Sequence, residues 1–141
     1  AAGCDYFGDY QGRVPSSPVL FVGFWTDKGT ADAAILELLK TVKNKKIFLF
    51  GTAGFGGSAA YFQKILLRVQ ENLGAGNQVI GTFMCQGKMP LSVRQRYEKM
   101  KEQPNPAPNL DMLIANFDRA LTHPDEQDLQ RLQEAVCAVQ M

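Results

Sequence analysis

The chain has one histidine and one tryptophan among its 141 residues, and its three cysteines lie far apart. Each scarcity removes a class of function. With His123 alone, no cluster of histidines is available to ligate a metal. No serine–histidine–acid or cysteine–histidine set is recognisable either, which weakens a hydrolase reading. Cys4, Cys85 and Cys137 are odd in number and form no CxxC pair. That pattern predicts free thiols in a reducing compartment, hence a cytoplasmic protein, and argues against a disulfide framework or a zinc site. A net charge of +1 provides no broad field to recruit nucleic acid or an anionic membrane. No apolar run approaches a membrane span. The opening AAGCDYFGDY has neither the charged start nor the apolar stretch of a secretory leader, and no initiator methionine precedes it.

What remains is an ordinary globular balance, 45% hydrophobic and 21% charged, long enough for one domain with one core. PVLFVGFW, residues 18–25, is an apolar run too short for a helix and predicts a strand buried on both faces. TDKGT follows as a polar loop. Thr30 is expected to cap the next helix, whose apolar stripe is Ile35, Leu38, Leu39 and Val42. KIFLF predicts a second strand. Ser58 caps a helix carrying Phe62, Ile65, Leu66, Val69 and Leu73, which GAGN ends. QVIGTFMC is a third strand, and LSVRQRYEKMK a short helix. EQPNPAPN breaks regular structure. Leu110, Leu113, Ile114, Phe117 and Leu121 mark another helix. Pro124 is expected to open the last one, with Leu129, Leu132, Val136 and Val139 facing inward. Residues 110–141 would form a helical extension packed on the domain. This alternation predicts an α/β fold with a parallel sheet covered on both faces. Ligands bind beyond the carboxyl ends of such strands, so WTDKGT, GTAGFGGS and CQGKMP are candidate loops.

GTAGFGGS holds four glycines. It approaches the phosphate-binding pattern G-x-x-x-x-G-K-[ST], but Gly57 stands where the lysine belongs, so the phosphates lose their main cation. The dinucleotide spacing G-x-G-x-x-G is not met. A neutral aromatic ring suits the loop better, with glycine amides in reach and Phe55 as a wall. The alternative is a plain tight turn. Trp25, at a strand end, is either a core residue or a stacking platform for that ring; its neighbour Phe24 points the other way. Cys85 reads as a buried small hydrophobe or a redox thiol. Lys88 reads as solvated or as a partner for a carboxylate. Arg94, Arg96, Lys99 and Lys101 form a wet helix face or a docking patch for an acidic redox partner. His123, in HPDE, has no evident ligand cluster around it.

The segments VLFVGFWTDKGTAD, KKIFLFGTAGFGGSAAYF, GTFMCQGKM and HPDEQDL together resemble the short flavodoxin-like proteins of anaerobic bacteria. Some of that group are similar to a flavodoxin-like partner of bilirubin reductase. The resemblance implies a flavodoxin-like three-layer sandwich, a bound FMN, electron transfer and a redox partner protein. It assigns Trp25, Thr26, Asp27 and Gly29 to one ring-flanking loop, and Thr52, Ala53, Gly54, Phe55 and Gly56 to the other. The alternative is a flavodoxin-derived module that has lost its cofactor. One departure is large. A flavodoxin opens with a strand, a hydroxyl-rich loop of the form [ST]-x-T-G-x-[ST] that binds the phosphate, and a helix. AAGCDYFGDY instead resembles the end of that helix followed by a second strand. The expectation is that roughly 25 to 35 further residues, one strand, loop and helix, precede Ala1.

Overall fold

Runs of large apolar residues without charges make the sheet. β1 (Val19–Asp27), β3 (Lys46–Ala53) and β4 (Gln78–Gln86) lie side by side and parallel in a computed structural model describing residues 3–55 and 58–139. A short β2 (Thr30–Ala31) folds back on β1, so the four-stranded sheet runs β2-β1-β3-β4. Between the parallel strands lie α1 (Ala33–Thr41) and α2 (Ala59–Gln70); α3 (Leu91–Lys101), α4 (Leu110–Ala120) and α5 (Glu126–Cys137) follow β4. The α/β alternation read from the sequence is thus the architecture. On the side of β1 away from β3, only Thr26 and Asp27 are paired among the described residues, with β2.

Alternation along each strand divides the side chains between two faces. Leu20, Val22, Phe24, Ile47 and Leu49 point to one, where Leu38, Leu39, Ile65, Leu66 and Val69 of α1 and α2 close over them. Ile47, Leu49, Leu39 and Val69 are fully enclosed; each such side chain stabilises the fold by about 1.5–3 kcal/mol. The second face carries Phe21, Gly23 and Trp25 from β1, Phe48, Phe50 and Thr52 from β3, and Gly81, Phe83 and Cys85 from β4. Helix α5 packs on β4. Phe48 is buried, whereas Phe21 and Trp25 stay exposed. The expected double cover is therefore complete on the first face and partial on the second.

Several local expectations shift. Thr30 lies in β2, and Asp32 takes the N-cap position of α1. The reason is a two-residue hairpin: Lys28 (φ 53°) and Gly29 (φ 86°) both adopt the left-handed conformation, and Asp27 pairs with Thr30. Helix α2 ends at Gln70, before the glycines, while Ser58 accepts the Tyr61 N–H as expected. Pro124 does not open α5: Asp125 caps it by a reciprocal capping box with Asp128, so the first helical residue is Glu126. Leu129 is exposed rather than inward, on the partly covered side of the sheet where a cavity opens. Residues 3–18 contain no helix or strand, so the helix end and strand expected there are absent among the described residues.

Across the sheet, aromatic rings lie over glycines. A Cβ on Gly51 would sit 2.5 Å from two ring atoms of Phe24; one on Gly23, 2.7 Å from Phe50; one on Gly81, 2.7 Å from Phe48. Gly54 is covered by Met89, whose Sδ would lie 2.4 Å from its Cβ. Part of the glycine content of GTAGFGGS is therefore a packing requirement. Gly51→Ala should destabilise by about 1–3 kcal/mol, since the buried Phe24 ring has nowhere to go. Gly54→Ala should cost less, because a thioether rotates aside. Urea unfolding of both variants checks this, and equal midpoints would refute the distinction.

Candidate functional site

The parallel strands end at one edge, so the sequence-distant loops meet there. The register sets Trp25 beside Thr52 and Thr52 beside Cys85, in one row on the partly covered face. Trp25 is held by its backbone: its N–H donates to the Asp32 carboxylate at 3.4 Å and its carbonyl accepts the Asp32 N–H at 3.1 Å. Trp25 is 57% exposed, while Phe24 next to it is 7% exposed. Trp25 is thus the exposed one of the two and Phe24 the buried one, although Phe24 also lines the cavity at this edge.

This row lines a cavity of about 590 Å³, within the ordinary range for small-molecule sites. Gly23, Phe50, Gly51 and Phe83 form apolar parts of its lining, and Pro124, Asp128, Leu129 and Leu132 contribute from the segment of α5. Of the residues assigned to the ring loops, Trp25 and Thr52 line the cavity. Thr26, Asp27, Gly29, Ala53, Gly54 and Phe55 do not; Ala53 is buried in the core, and Phe55 is 40% exposed on the loop beyond. Gly56 lies outside the described residues. The hydroxyls of Thr26 and Thr30 are buried without a partner among the described residues, at a cost of about 1–3 kcal/mol each.

The donor chemistry separates two halves of a flavin mononucleotide. A planar, largely apolar ring fits a cavity with an aromatic wall, an apolar floor and one hydroxyl. A phosphate dianion does not: the charged lining residues are Asp9, Asp32 and Asp128, all acidic, with no lysine or arginine among them.

His123 is not isolated. Its Nδ1 lies 2.6 Å from Asp128 Oδ2 and 3.8 Å from Asp125 Oδ2. These three could group around a cation, but the Asp128 oxygens already accept from the Asp125 N–H and from Arg131. Burial opposes ionisation of Asp128, yet the hydrogen bonds from His123, the Asp125 N–H and Arg131 outweigh it and hold its carboxyl below the ordinary 3.8. Cys85 moves the other way: burial, aided by the nearby Asp128 carboxylate, pushes its thiol up to about 11. It is a protonated, buried group at neutral pH, the small-hydrophobe reading.

Of the four cations of α3, two are paired with carboxylates, and Arg96 and Lys99 are exposed. Arg94 makes two hydrogen bonds to Asp118, at 3.0 and 3.2 Å, and pairs with Glu98; Lys101 pairs with Asp111. The contacts to Asp118 and Asp111 join α3 to α4.

Sequence reasoning missed Gln86 and Asn116. The carbonyl of Gly54 accepts from Gln86 Nε2 and from Asn116 Nδ2, both at 3.0 Å, and Gln86 Nε2 also donates to Asn116 Oδ1 at 3.2 Å. Gly87 N–H donates to the Ala53 carbonyl at 2.9 Å, and Lys88 N–H to the His123 carbonyl at 3.0 Å. The CQGKMP loop thus stitches the glycine loop to the start of α5.

The Asp128 linkage has a defined sign. A depressed carboxyl stabilises the fold fully above its unfolded value of 3.8 and loses that contribution as pH falls below it. Asp128→Asn should lower stability at pH 7 by about 1.5–3 kcal/mol, the range for hydrogen bonds to a charge. In urea titrations the deficit should shrink as pH drops below 3.8. A deficit independent of pH would mean that the charge contributes nothing.

Comparison with known protein families matches residues 7–137 to the flavodoxin domain. Among curated proteins, the chain is 37% identical over 144 residues to the flavodoxin-like domain-containing protein BilS of Clostridium symbiosum (strain WAL-14163), covering 92% of this chain and 76% of that protein. It is 30% identical over 125 residues to the protein of the same name from Clostridioides difficile (strain CD3), covering 89% of this chain and 69% of the relative. With the family match over most of its length and these two relatives, the chain belongs to the flavodoxin-domain family.

Proposed function

We propose that the protein holds a flavin, FMN, at the carboxyl edge of its sheet and serves as an electron carrier or a small reductase component. The observation that supports this most is Trp25. The only tryptophan in the chain stands half in solvent at the lip of an apolar cavity, with its backbone pinned on both sides by Asp32. An aromatic ring exposed beside apolar lining suits a stacking platform better than a core position. Bound flavin would supply electron transfer. Trp25 would give the ring a flat wall, Thr52 a hydroxyl, and Phe50 and Phe83 a floor that excludes water. The loops carrying Thr26, Asp27 and Gly29, and Ala53, Gly54, Phe55 and Gly56, would flank it. A redox partner protein would deliver or collect the electrons. Three free cysteines support a reducing, cytoplasmic setting, and no helix among the described residues is long and apolar enough to cross a membrane.

A second reading is a flavodoxin-derived binding or structural module without its cofactor. The acidic lining of the cavity favours it, since nothing there attracts a phosphate.

Calorimetric titration with FMN and with riboflavin, alongside the visible spectrum of the purified protein, decides between them. The first reading expects binding, quenching of Trp25 emission, and a loss of about tenfold in affinity for Trp25→Ala, or about 1.4 kcal/mol. Because the lining residues offer no cation, FMN and riboflavin should differ by less than about threefold, or roughly 0.7 kcal/mol. No binding of either ligand selects the module. Strong preference for FMN would place a phosphate site beyond this cavity lining.

A further inference from the structure

Asp32 stands at the N-cap position of α1 but does not cap it. An aspartate there ordinarily accepts an N–H from the second or third helical residue, and Asp32 makes no such bond. Its Oδ1 accepts the Trp25 N–H, while Oδ2 has no hydrogen-bond partner among the described residues. The residue is only 9% exposed, yet the unpartnered oxygen is not sealed off, and Asp32 lines the cavity. A carboxylate so deeply buried has lost most of its water and favours a donor or a positive charge beside it.

Aromatic rings surround that oxygen's side of the cavity. Trp25 is joined to Asp32 through the backbone, and Tyr10, Phe50 and Phe83 are half-buried in the same lining. Aromatic faces are electron-rich and attract cations, tryptophan most strongly. Asp9 and Asp128 add their carboxylates, with no lysine or arginine in the lining. Asp128 is paired with His123 and Arg131 and adds least. Low-dielectric walls that carry one sign of charge concentrate its field. The carboxylates that fix the walls thus also set what can lie between them.

We propose that the cavity binds planar aromatic cations: a heteroaromatic ring with a positively charged nitrogen lies against Trp25 and turns that nitrogen toward Asp32. The face of the ring meets the indole, and its charge meets the unpartnered carboxylate oxygen. This goes beyond the flavin reading, because an oxidised flavin ring is neutral and offers the carboxylates no charge. Both ligands use the same walls, so one excludes the other. Anions of the same shape are turned away by the same carboxylates.

The probes are N-methylquinolinium and quinoline, the same bicyclic ring with a fixed positive charge and, at neutral pH, without one. Calorimetric titration of the whole protein should give the cation about tenfold the affinity of quinoline, or about 1.4 kcal/mol. Added salt should weaken the cation and leave quinoline where it was. Asp32→Asn keeps an acceptor oxygen for the Trp25 N–H and removes the charge; it should bring the two affinities to within about twofold. Asp9 is exposed, and its hydrogen bond to Tyr6 uses the backbone carbonyl and not the carboxylate. Asp9→Asn therefore tests the charge even if Asp32→Asn fails to fold, and it should lower the preference by about threefold. Equal affinities in the wild type, or a preference that survives both substitutions, overturn the proposal. So does a cation that stays bound when riboflavin fills the cavity, since it then lies elsewhere. Riboflavin titrated alone reads the flavin proposal separately. Cation binding without riboflavin binding supports the present inference and drops the flavin; riboflavin binding with no preference for the cation does the reverse.

Discussion

The sheet depends on aromatic rings that lie over glycines in the neighbouring strand. Phe24 covers Gly51, Phe50 covers Gly23, and Phe48 covers Gly81. Each pair joins two strands on one face, and the pairs on β1 and β3 alternate between faces. Large rings crowded against ordinary side chains would force the strands apart or the rings off their rotamers. With glycine beneath, a phenylalanine fills the width of two positions. The parallel register, and hence the row of Trp25, Thr52 and Cys85 at the strand ends, follows from this fit. A slip of one residue would lift each of these rings off its glycine and turn the apolar set to the wrong face.

The site inherits its shape from that register and its polarity from the turns beyond it. The cavity is apolar where strand faces line it and acidic where Asp9, Asp32 and Asp128 enter. Two of these acids have local duties. Asp32 holds the backbone of Trp25, and Asp128 locks the start of α5 through His123, Arg131 and the Asp125 N–H. Their charge at the cavity is thus a by-product of fixing its walls, and it weighs against anionic groups there.

Much of this was legible in the sequence. Apolar runs of strand length, stripes at helical spacing and the glycine loop indicated the α/β alternation, and the order of motifs indicated the family. Trp25 and Phe24 were separable by alternation alone. What stayed hidden depended on contacts between distant residues. Nothing in TDKGT distinguishes a loose loop from a left-handed two-residue hairpin until Asp27 is seen to pair with Thr30. Pro124 suits a helix start by propensity, but the reciprocal bonds of Asp125 and Asp128 place the start two residues later. The exposure of Leu129 reflects what covers a sheet face, a property of neither its helix nor its spacing. Gln86 and Asn116 carry no local signal at all: they are 30 residues apart, and Asn116 is 62 from the carbonyl it holds.

The order of the strands has a kinetic meaning. The parallel strands β1, β3 and β4 stand in the sheet in the order in which they occur in the chain. Each new strand therefore docks on an edge already made, and none has to be inserted between two that are already joined. Every docking step closes only the loop made by one intervening helix, which keeps its entropic toll small. A ribosome releasing this stretch of chain would let the sheet grow one strand at a time, from β1 outward.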